Sequence, residues 1–269
     1  MNETLQNKYN DLITLIKSYG SAAVAYSGGV DSTFLLRAAH DALGSNMAAL
    51  TAVSPFFPAW ESEQAAEYCK LRWIKHFILE YDPLSVDAIR VNPPERCYLC
   101  KFTLFNGFKA FAAENGFAEV IEGTNADDLN DYRPGLKALS EHRIKSPLKE
   151  VGFTKEEIRI LSKEFGLPTW NKPSYACLAS RVPNNEELTA DKLYMVECAE
   201  NLLLQLGFEQ CRVRIHGTLA RIEVYPEEFS HIMRDDIRYT ICESLKNMGF
   251  SYVSLDMTGY RTGSLNEVL

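Results

Sequence analysis

Short apolar runs alternate with amphipathic stretches through the first half of the chain. Amphipathic spacing predicts helices, and short apolar runs bounded by turn residues predict buried strands. The predicted strands are 21–27, 47–54, 73–80 and 118–123, and the predicted helices are 5–18, 28–44, 61–72 and 97–116. Strands that alternate with helices form a parallel sheet covered by helices on both faces. We therefore expect an α/β fold.

The pattern changes near residue 183. A polar loop there leads into a long helix, which is followed by two alternating segments joined at Gly217, a helical stretch and a strand at 251–257. This order predicts a helix, hairpin, helix and strand unit. We therefore expect two domains, with residues 1–183 as the α/β domain and residues 184–269 as a smaller α+β domain for substrate binding or oligomerisation.

Composition places the chain among soluble globular proteins. It has 269 residues, 46% hydrophobic and 24% charged. No apolar run reaches the roughly 20 residues needed to span a bilayer. The polar start lacks the basic flank and apolar core of a signal peptide, so we expect a cytoplasmic protein with no membrane partner. The net charge of −8 argues against nucleic acid as a partner.

The segment 24–33, VAYSGGVDST, lies where the first predicted strand passes into a helix. Free N–H groups and the positive dipole end of a helix N-terminus bind anions, and glycine lets the backbone approach a phosphate closely. Serine and threonine hydroxyls add donors. Asp31 would repel a phosphate unless a cation mediates, so its presence indicates Mg²⁺ shared with a triphosphate. The alternative is an ordinary glycine turn in which Asp31 and Ser32 cap the helix.

The same segment lacks the P-loop and G-x-G-x-x-G patterns, and it resembles the S-G-G-x-D-S loop (PP-loop) of ATP pyrophosphatases. The resemblance implies that ATP is cleaved between its α and β phosphates and that AMP is transferred to a carbonyl or carboxylate oxygen. A nitrogen or sulfur nucleophile then displaces AMP. The residues expected to contact ATP lie in this segment or, by position, after the second and fourth strands: Ala25, Ser27, Gly28, Gly29, Asp31, Ser32, Thr33, Ser54 and Thr124.

Three cysteines stand apart from the other four. Cys97 and Cys100 form a C-x-x-C at the start of a predicted helix, and Cys177 lies in a proline-flanked loop. A zinc site would need four ligands, and a redox disulfide would need a thioredoxin-like context. A cluster held by three cysteines leaves one iron open for an exogenous ligand such as hydrosulfide. Ordinary thiols at a helix start are the remaining alternative. Buried, unliganded thiols are expected at Cys69, Cys198, Cys211 and Cys242.

Longer motifs resemble the LarE family. They are EGTNADDLNDYRPGLKA (122–138), SPLKEVGFTKEEIRILSKEFGLPTWNKPS (146–174), CLASR (177–181), RVRIHGTLARIE (212–223) and GYRTGSLN (259–266). Members of this family are ATP-dependent sulfur transferases in the maturation of the nickel-pincer nucleotide cofactor of lactate racemase. The resemblance implies a PP-loop domain that adenylylates the carboxylates of pyridinium-3,5-biscarboxylic acid mononucleotide and converts them to thiocarboxylates.

One departure from the family pattern concerns the source of sulfur. Some members carry a lone cysteine in the loop before Ser-Arg, give up its sulfur and become dehydroalanine; they lack the C-x-x-C. Their cysteine corresponds to Ala176 here, one place before Cys177. The departure favours Cys177 as a ligand beside Cys97 and Cys100, in a 4Fe–4S cluster supplied by sulfide or another sulfur donor.

A substrate with a phosphate and two carboxylates needs cationic side chains to bind it. Arg212 and Arg214 alternate along one predicted strand and therefore share a face, although strand arginines could equally be solvated. Asp128 and Asp131 would either bind Mg²⁺ or cap turns, and capping is favoured. The substrate-binding candidates are Arg133, Arg212, Arg214 and Arg261, and the catalytic candidates are Asp31, Cys177 and Arg181.

Three other functions stay open at this point. Some PP-loop tRNA thiolases use a three-cysteine cluster, but the acidic balance and the lack of an RNA-binding appendage speak against one here. An amidotransferase using ammonia would give the cysteines no task. A nucleotide-binding or cluster-sensing regulator would bind ATP without releasing pyrophosphate. The favoured interpretation has ATP, Mg²⁺ and a 4Fe–4S cluster as cofactors, a small-molecule substrate and a homo-oligomeric assembly.

Overall fold

A computed structural model describes residues 3–130, 134–173 and 175–261. Within these residues, no helix is long and apolar enough to cross a membrane. The helices are α1 Glu3–Ser18, α2 Val30–Leu43, α3 Ala59–Leu71, α4 Asp87–Arg90, α5 Arg96–Glu114, α6 Pro134–Glu141, α7 Pro147–Val151, α8 Lys155–Glu164, α9 Ala190–Gln205, α10 Phe229–Ile232 and α11 Asp235–Asn247. The strands are β1 Ala22–Ala25, β2 Met47–Val53, β3 His76–Glu80, β4 Glu119–Ile121, β5 Cys211–His216, β6 Leu219–Val224 and β7 Tyr252–Leu255.

The chain folds into two compact units. Unit 1 contains Met1–Ser54, Ala59–Tyr81 and Glu95–Tyr175, and unit 2 contains Pro55–Pro58, Asp82–Pro94 and Ala176–Leu269. This division passes from unit 1 to unit 2 between Tyr175 and Ala176, and it gives unit 2 two short segments from the first half of the chain. The single boundary between residues 183 and 184 stays a prediction. A pattern read along the chain cannot show that an early segment folds with a late one.

Unit 1 contains a four-stranded parallel sheet in the order β3-β2-β1-β4. Ala22 of β1 lies opposite Met47 of β2 on one side and opposite Glu119 of β4 on the other. Parallel neighbours need crossover connections, which the intervening helices supply. The predicted α/β class and the order of its elements are therefore confirmed.

The sheet is buried on both faces because its central strands are apolar at nearly every position. Ala22 and Val24 of β1 belong to the hydrophobic core formed with α1, α2 and α8, whereas Ala23 belongs to the core formed with α5. Side chains alternate between the two faces along a strand, so a sheet covered by helices on both sides needs continuous apolar runs. The parallel arrangement brings the carboxyl ends of all four strands to one edge.

Unit 2 contains a three-stranded sheet in the order β5-β6-β7. β5 and β6 form an antiparallel hairpin in which Arg214 lies opposite Arg221, and β7 pairs parallel to β6. Gly217, in the turn between β5 and β6, has a φ of 58°, a conformation that glycine adopts without strain. α9 packs on β5 and α11 packs on β7. The predicted helix, hairpin, helix and strand are confirmed.

Candidate active site

The glycine-rich loop lies at the point where the strand order of the sheet reverses. β1 ends at Ala25, the loop follows, and α2 begins at Val30. β2 and β3 lie on one side of β1, and β4 lies on the other. Ligands of open α/β sheets bind outside the carboxyl ends of the strands at such a reversal. The loop singled out from the sequence therefore occupies the position where this fold class binds its ligands.

Hydroxyl groups brace this loop from within. The Ser27 and Ser32 hydroxyls lie 3.1 Å apart, and the Ser32 hydroxyl donates to the Gly29 carbonyl at 3.2 Å. Thr33 is fully buried, and its hydroxyl donates to the same carbonyl at 2.7 Å. The Ser27 and Ser32 hydroxyls can exchange these bonds for bonds to a phosphate, whereas Thr33 serves the loop itself. The ATP contacts expected of these residues stay predictions.

The segment after β4 packs directly on the loop. A Cβ atom at Gly123 would lie 3.1 Å from the Ser32 amide nitrogen, so a side chain there would crowd the loop. Asn125 donates its side-chain amide to the Asp31 carboxylate at 3.4 Å. The carboxyl ends of β1 and β4 thus meet around Asp31, the residue expected to hold Mg²⁺.

Thr124, the nucleotide contact expected after β4, is held by a buried carboxylate. Its hydroxyl and its backbone N–H donate to one oxygen of Glu122 at 2.7 and 3.1 Å, and Ser146 donates to the other oxygen at 2.5 Å. Because its proton is committed to Glu122, the Thr124 hydroxyl presents only lone pairs to a ligand. Ser54 follows β2 at the same edge of the sheet and is buried.

Two lysines bring positive charge to a loop that has no cation of its own. The Lys155 ammonium lies 2.5 Å from the Asp31 carboxylate. The Lys172 ammonium donates to the Gly28 carbonyl at 3.1 Å. Burial lowers the pKa of Lys172, and the nearby Glu61 carboxylate opposes that shift. The loop therefore contacts two lysine ammonium groups, one at Asp31 and one at Gly28.

Cys97 and Cys100 are the second and fifth residues of α5, so they share one face of its first turn. Cys97 is exposed and Cys100 is buried. Tyr81 donates its hydroxyl to the Cys100 carbonyl at 3.0 Å and to Sγ at 3.5 Å. The pair is suited to provide two ligands of one metal centre.

Cys177 precedes a short 3-10 turn, Leu178–Arg181, in unit 2. Arg181 is fully buried and forms two hydrogen bonds of 2.8 Å with the Glu200 carboxylate. Its Nη1 also donates to the carbonyls of Ala176 and Cys177, at 2.6 and 3.1 Å. Arg181 thus ties the main chain around Cys177 to α9. This is the geometry of a positioning residue, and the catalytic role expected of Arg181 stays a prediction.

Arg212 and Arg214 lie on β5 and are only 3% and 5% exposed, so the alternative that both are solvated is wrong. Arg214 donates to both oxygens of Glu223, at 3.2 and 3.0 Å. The Arg212 guanidinium lies over the Tyr260 ring, 5.2 Å from its centre. Burial and the charge of Arg181 lower the pKa of Arg212. An anionic ligand beside Arg212 would therefore relieve an electrostatic cost that is already present.

Two of the remaining predicted residues, Arg261 and Asp128, contact residues close to them in the sequence. Arg261 lies 3.4 Å from the Asp256 carboxylate. Asp128 accepts a hydrogen bond from the Asn125 backbone N–H at 3.0 Å, and the choice between turn capping and Mg²⁺ binding stays a prediction. Cys69 and Cys211 are buried as expected, whereas Cys198 and Cys242 are half-buried. Two predicted residues lie outside the described part of the chain: Asp131 and Arg133.

Among the residues that the structure describes, no three histidine, cysteine, aspartate or glutamate side chains are grouped so that they could hold a metal ion. Cys97 and Cys100 supply two of the three expected thiol ligands on one helical turn, and Cys177 belongs to the other unit. Thiolates are the ligands that iron–sulfur clusters use, so the donor chemistry fits. The cluster is accordingly a proposal.

No protein-family model matches the chain, but individual relatives match it along nearly its whole length. A protein of Lactiplantibacillus plantarum named pyridinium-3,5-bisthiocarboxylic acid mononucleotide synthase is 38% identical over 99% of this chain and 96% of its own length. The chain belongs to the LarE family. The family resemblance carried by the motifs is therefore confirmed.

Two further relatives differ in how similar they are to this chain. An uncharacterised protein of Synechocystis sp. is 41% identical over 98% of this chain and 99% of its own length. A component of the glutamine-hydrolyzing GMP synthase of Thermoplasma volcanium is 24% identical over 72% of this chain and 69% of its own length. The similarity to the GMP synthase component supports the assignment of the chain to the PP-loop proteins, of which the LarE family is one part.

Sequence reasoning missed the side chains that support the predicted residues. Asn125, Lys155 and Lys172 contact partners about 90 to 140 residues away in the chain, and the others depend on how strands and helices pack, which neither periodicity nor local spacing reveals. Their presence inside the motifs that resemble the LarE family was the available signal for five of them, and α9 offered none for Glu200. The missed residues are Glu122, Asn125, Lys155, Lys172, Glu200 and Glu223.

Proposed function

We propose that the protein is an ATP-dependent sulfurtransferase that converts the carboxylates of pyridinium-3,5-biscarboxylic acid mononucleotide into thiocarboxylates, in nickel-pincer nucleotide biosynthesis. The observation that carries this proposal is the SGGVDS loop at the strand-order reversal, in a chain that belongs to the LarE family. The loop indicates ATP activation, and the name of the Lactiplantibacillus relative indicates the product. A cytoplasmic, homo-oligomeric enzyme is part of the proposal.

In the first step, a substrate carboxylate oxygen attacks the α-phosphorus of ATP. The bond from the α-phosphorus to the bridging oxygen breaks, and pyrophosphate leaves with the electron pair. Backbone N–H groups at the start of α2 and the Ser27 and Ser32 hydroxyls would bind the pyrophosphate, and Asp31 would hold a Mg²⁺ that supplies positive charge to offset it. These donors are fixed before the reaction, so they stabilise the charge as it develops.

In the second step, hydrosulfide attacks the acyl carbon of the adenylate. The bond to the AMP oxygen breaks, AMP leaves with the electron pair, and one proton is released as the thiocarboxylate forms. A 4Fe–4S cluster bound by Cys97, Cys100 and Cys177 would carry this sulfur on its open iron. Arg181 keeps the main chain of Cys177 in place through its bonds to the Ala176 and Cys177 carbonyls.

Arginines of unit 2 are the proposed ligands of the anionic substrate. Arg212 is one candidate because its guanidinium lies over the Tyr260 ring, and burial and the charge of Arg181 lower its pKa, an effect that a bound anion would oppose. Arg214 shares its strand face and forms an ion pair with Glu223. The proposed nucleotide contacts outside the loop are Ala25, Ser54 and Thr124, and the further proposed substrate ligands are Arg133 and Arg261.

The test combines metal content with product analysis. Protein purified without oxygen is assayed for iron and acid-labile sulfide, and then for pyrophosphate and thiocarboxylate formation from ATP, Mg²⁺, sulfide and substrate. We expect Cys97→Ser, Cys100→Ser and Cys177→Ser to lose iron and product while they keep pyrophosphate release. Cys242→Ser is the control and should match the wild type.

Two results would contradict parts of the proposal. An iron-free wild type that loses one sulfur per turnover from its own cysteine would overturn the cluster. A wild type that binds ATP without releasing pyrophosphate in the presence of substrate would overturn adenylylation and favour the regulator.

A further inference from the structure

Lys172, in the segment that follows α8, contacts Gly28 of the glycine-rich loop, 144 residues away in sequence. Its ammonium donates to the Gly28 carbonyl at 3.1 Å and to the Gln64 side-chain carbonyl at 3.3 Å. It lies 3.7 Å from the Glu61 carboxylate and 4.8 Å from the centre of the Trp60 ring. Three residues of α3 therefore hold the cation in place against the loop.

The backbone of Lys172 itself is fixed as well. Arg159 of α8 donates to the Lys172 carbonyl at 3.0 Å and to the Trp170 carbonyl at 2.7 Å. The Lys172 side chain is only 13% exposed. A long side chain that is anchored at both ends and nearly buried has lost its rotamer freedom. Lys172 is thus a fixed part of the loop environment, not a mobile surface cation.

The contact with Gly28 determines which way one peptide group faces. In a planar trans peptide the C=O and the following N–H point in opposite directions. Gly28 has a φ of 72°, and glycine on both sides of the 28–29 peptide lets that peptide turn either way at little cost. When the Gly28 carbonyl is bound to Lys172, the Gly29 N–H points back into the loop, towards the Ser27 hydroxyl at 3.4 Å.

That orientation matters because of what the loop has to bind. Its donors are backbone N–H groups and hydroxyls, since residues 24–33 include no lysine, arginine or histidine. A carbonyl turned inward would place a partial negative charge against the phosphates. Three acceptors already surround the Lys172 ammonium, which has three N–H groups. Its effect on a ligand is therefore exerted through the peptide that it orients.

We propose that Lys172 is a positioning residue that turns the Gly28–Gly29 peptide so that the Gly29 N–H faces the pyrophosphate group of ATP. Glu61, Gln64 and Trp60 hold its ammonium for this purpose. The inference rests on the proposed ATP chemistry and adds to it the element that arranges the donors of the loop.

The experiment compares Lys172→Met, Lys172→Arg and Lys163→Met with the wild type. Lys163 lies over the Trp170 ring at 4.6 Å on the surface of the same region, so its variant is a matched loss of one lysine. Magnesium pyrophosphate binding is measured by titration calorimetry, and the thermal midpoint of each ligand-free variant is measured separately. We expect the affinity to fall about tenfold or more in Lys172→Met, as for loss of a charge-assisted hydrogen bond, to recover largely in Lys172→Arg, and to stay unchanged in Lys163→Met.

A second measurement follows the peptide itself and does not depend on affinity. In protein labelled with ¹⁵N-glycine, the Gly29 amide signal should shift when pyrophosphate binds to the wild type and to Lys172→Arg.

Glu61→Gln, which leaves the lysine in place but weakens its ion pair with residue 61, should give a smaller loss of affinity than Lys172→Met. This variant keeps the test valid if Lys172→Met does not fold.

The possible outcomes separate the inference from the function on which it rests. If the wild type binds pyrophosphate and both Lys172→Met and Glu61→Gln bind it equally well, the inference is overturned and the proposed function stands. The same holds if Lys172→Arg is as weak as Lys172→Met. If the wild type itself binds neither ATP nor pyrophosphate, the proposed function fails and the inference fails with it.

Discussion

The Lys155 ammonium lies 2.5 Å from the carboxylate of Asp31, in the first turn of α2. Lys155 is itself fixed, because its backbone N–H donates to the Asp127 carboxylate at 2.8 Å. Asn125 donates to the other oxygen of Asp31. The Asp31 carboxylate beside the glycine-rich loop is thus paired with a lysine, and a metal ion would compete with that lysine for it.

Replacing Asp31 by asparagine tests the metal assignment. The change keeps the size of the side chain and its contact with Asn125 but removes the charge that would hold Mg²⁺. We expect Asp31→Asn to lower the rate of pyrophosphate release by about 100-fold or more, the scale on which loss of one transition-state electrostatic interaction acts. Folding should hardly change, because the pair with Lys155 is partly exposed.

The matched control is Asp41→Asn on the same helix. Asp41 pairs with Arg37 at the other end of α2, so its loss should leave pyrophosphate release at the wild-type rate. An Asp31→Asn enzyme that releases pyrophosphate within a few-fold of the wild-type rate would exclude Asp31 as the metal ligand.

Gly28 and Gly107 form a contrasting pair of glycines in unit 1. Gly28 has a φ of 72°, where an alanine is strained by about 1–2 kcal/mol. Gly107 lies inside α5 with no neighbouring atom within 4 Å of the position that a Cβ would take, so alanine is favoured there by about 0.5–1 kcal/mol. Urea unfolding should therefore show that Gly28→Ala is destabilised and that Gly107→Ala is stabilised.

The same pair separates stability from ligand binding. Gly28→Ala should also weaken pyrophosphate binding, since it disturbs the peptide that Lys172 orients, whereas Gly107→Ala should bind pyrophosphate like the wild type. Equal affinities for the two variants would mean that the loop does not bind the pyrophosphate group.

The order of elements and the position of the loop follow from the sequence because both are set by local patterns. β1 is short and apolar, α2 starts at a glycine pair, and these signals need no distant partner. The same reasoning finds Cys97 and Cys100, whose spacing on α5 is itself the signal. Because the strands of the sheet are parallel, the residues that follow each strand lie at the same edge of the sheet. The loop that follows β1 and Thr124, which follows β4, therefore lie at one edge.

The supporting residues could not be found in this way. Lys172 contacts Gly28 across 144 residues, and Lys155 contacts Asp31 across 124. The sequence also does not determine the exposure of Arg212 and Arg214, because strand alternation shows that they share a face without showing what covers it. Pairing of distant charges depends on how the elements pack, which the one-dimensional pattern does not contain.

The buried pair of Arg181 and Glu200 should be costly to break. Glu200→Gln leaves a fully buried guanidinium without its counter-charge and also weakens the bond that Glu200 accepts from the Val213 N–H. Removing one partner of such a pair costs about 3–5 kcal/mol. We expect a loss of this size in the free energy of unfolding of unit 2, measured by urea titration.

An exposed ion pair in the same unit is the control. Arg234 and Asp236 are in contact at 2.7 Å but lie on the surface, so Asp236→Asn should leave the unfolding transition where it is in the wild type. If Glu200→Gln behaved like Asp236→Asn, Arg181 would not depend on its partner, and the anchoring of the Cys177 loop would need another explanation.

The thiols should differ widely in reactivity, because alkylation requires the thiolate form and access to reagent. Burial raises the pKa of Cys69 to about 12, so almost none of this thiol is ionised at pH 8. Burial, assisted by the Glu200 carboxylate, also raises the pKa of Cys211. Cys97 is exposed at a helix N-terminus. In iron-free folded protein at pH 8, iodoacetamide should label Cys97 first and leave Cys69 and Cys211 unlabelled, as measured by peptide mass spectrometry.

The pH dependence and the effect of iron make this prediction sharper. Because its pKa is raised, Cys69 labelling should increase only as the pH approaches about 12 or as the protein unfolds in urea. Reconstitution with iron and sulfide should then protect Cys97 and Cys177 while Cys242 labelling stays the same. If Cys97 is labelled equally fast with and without iron, it is not a ligand. If Cys69 is labelled as fast as Cys97 at pH 8, the core of unit 1 opens to the reagent on the time scale of the reaction.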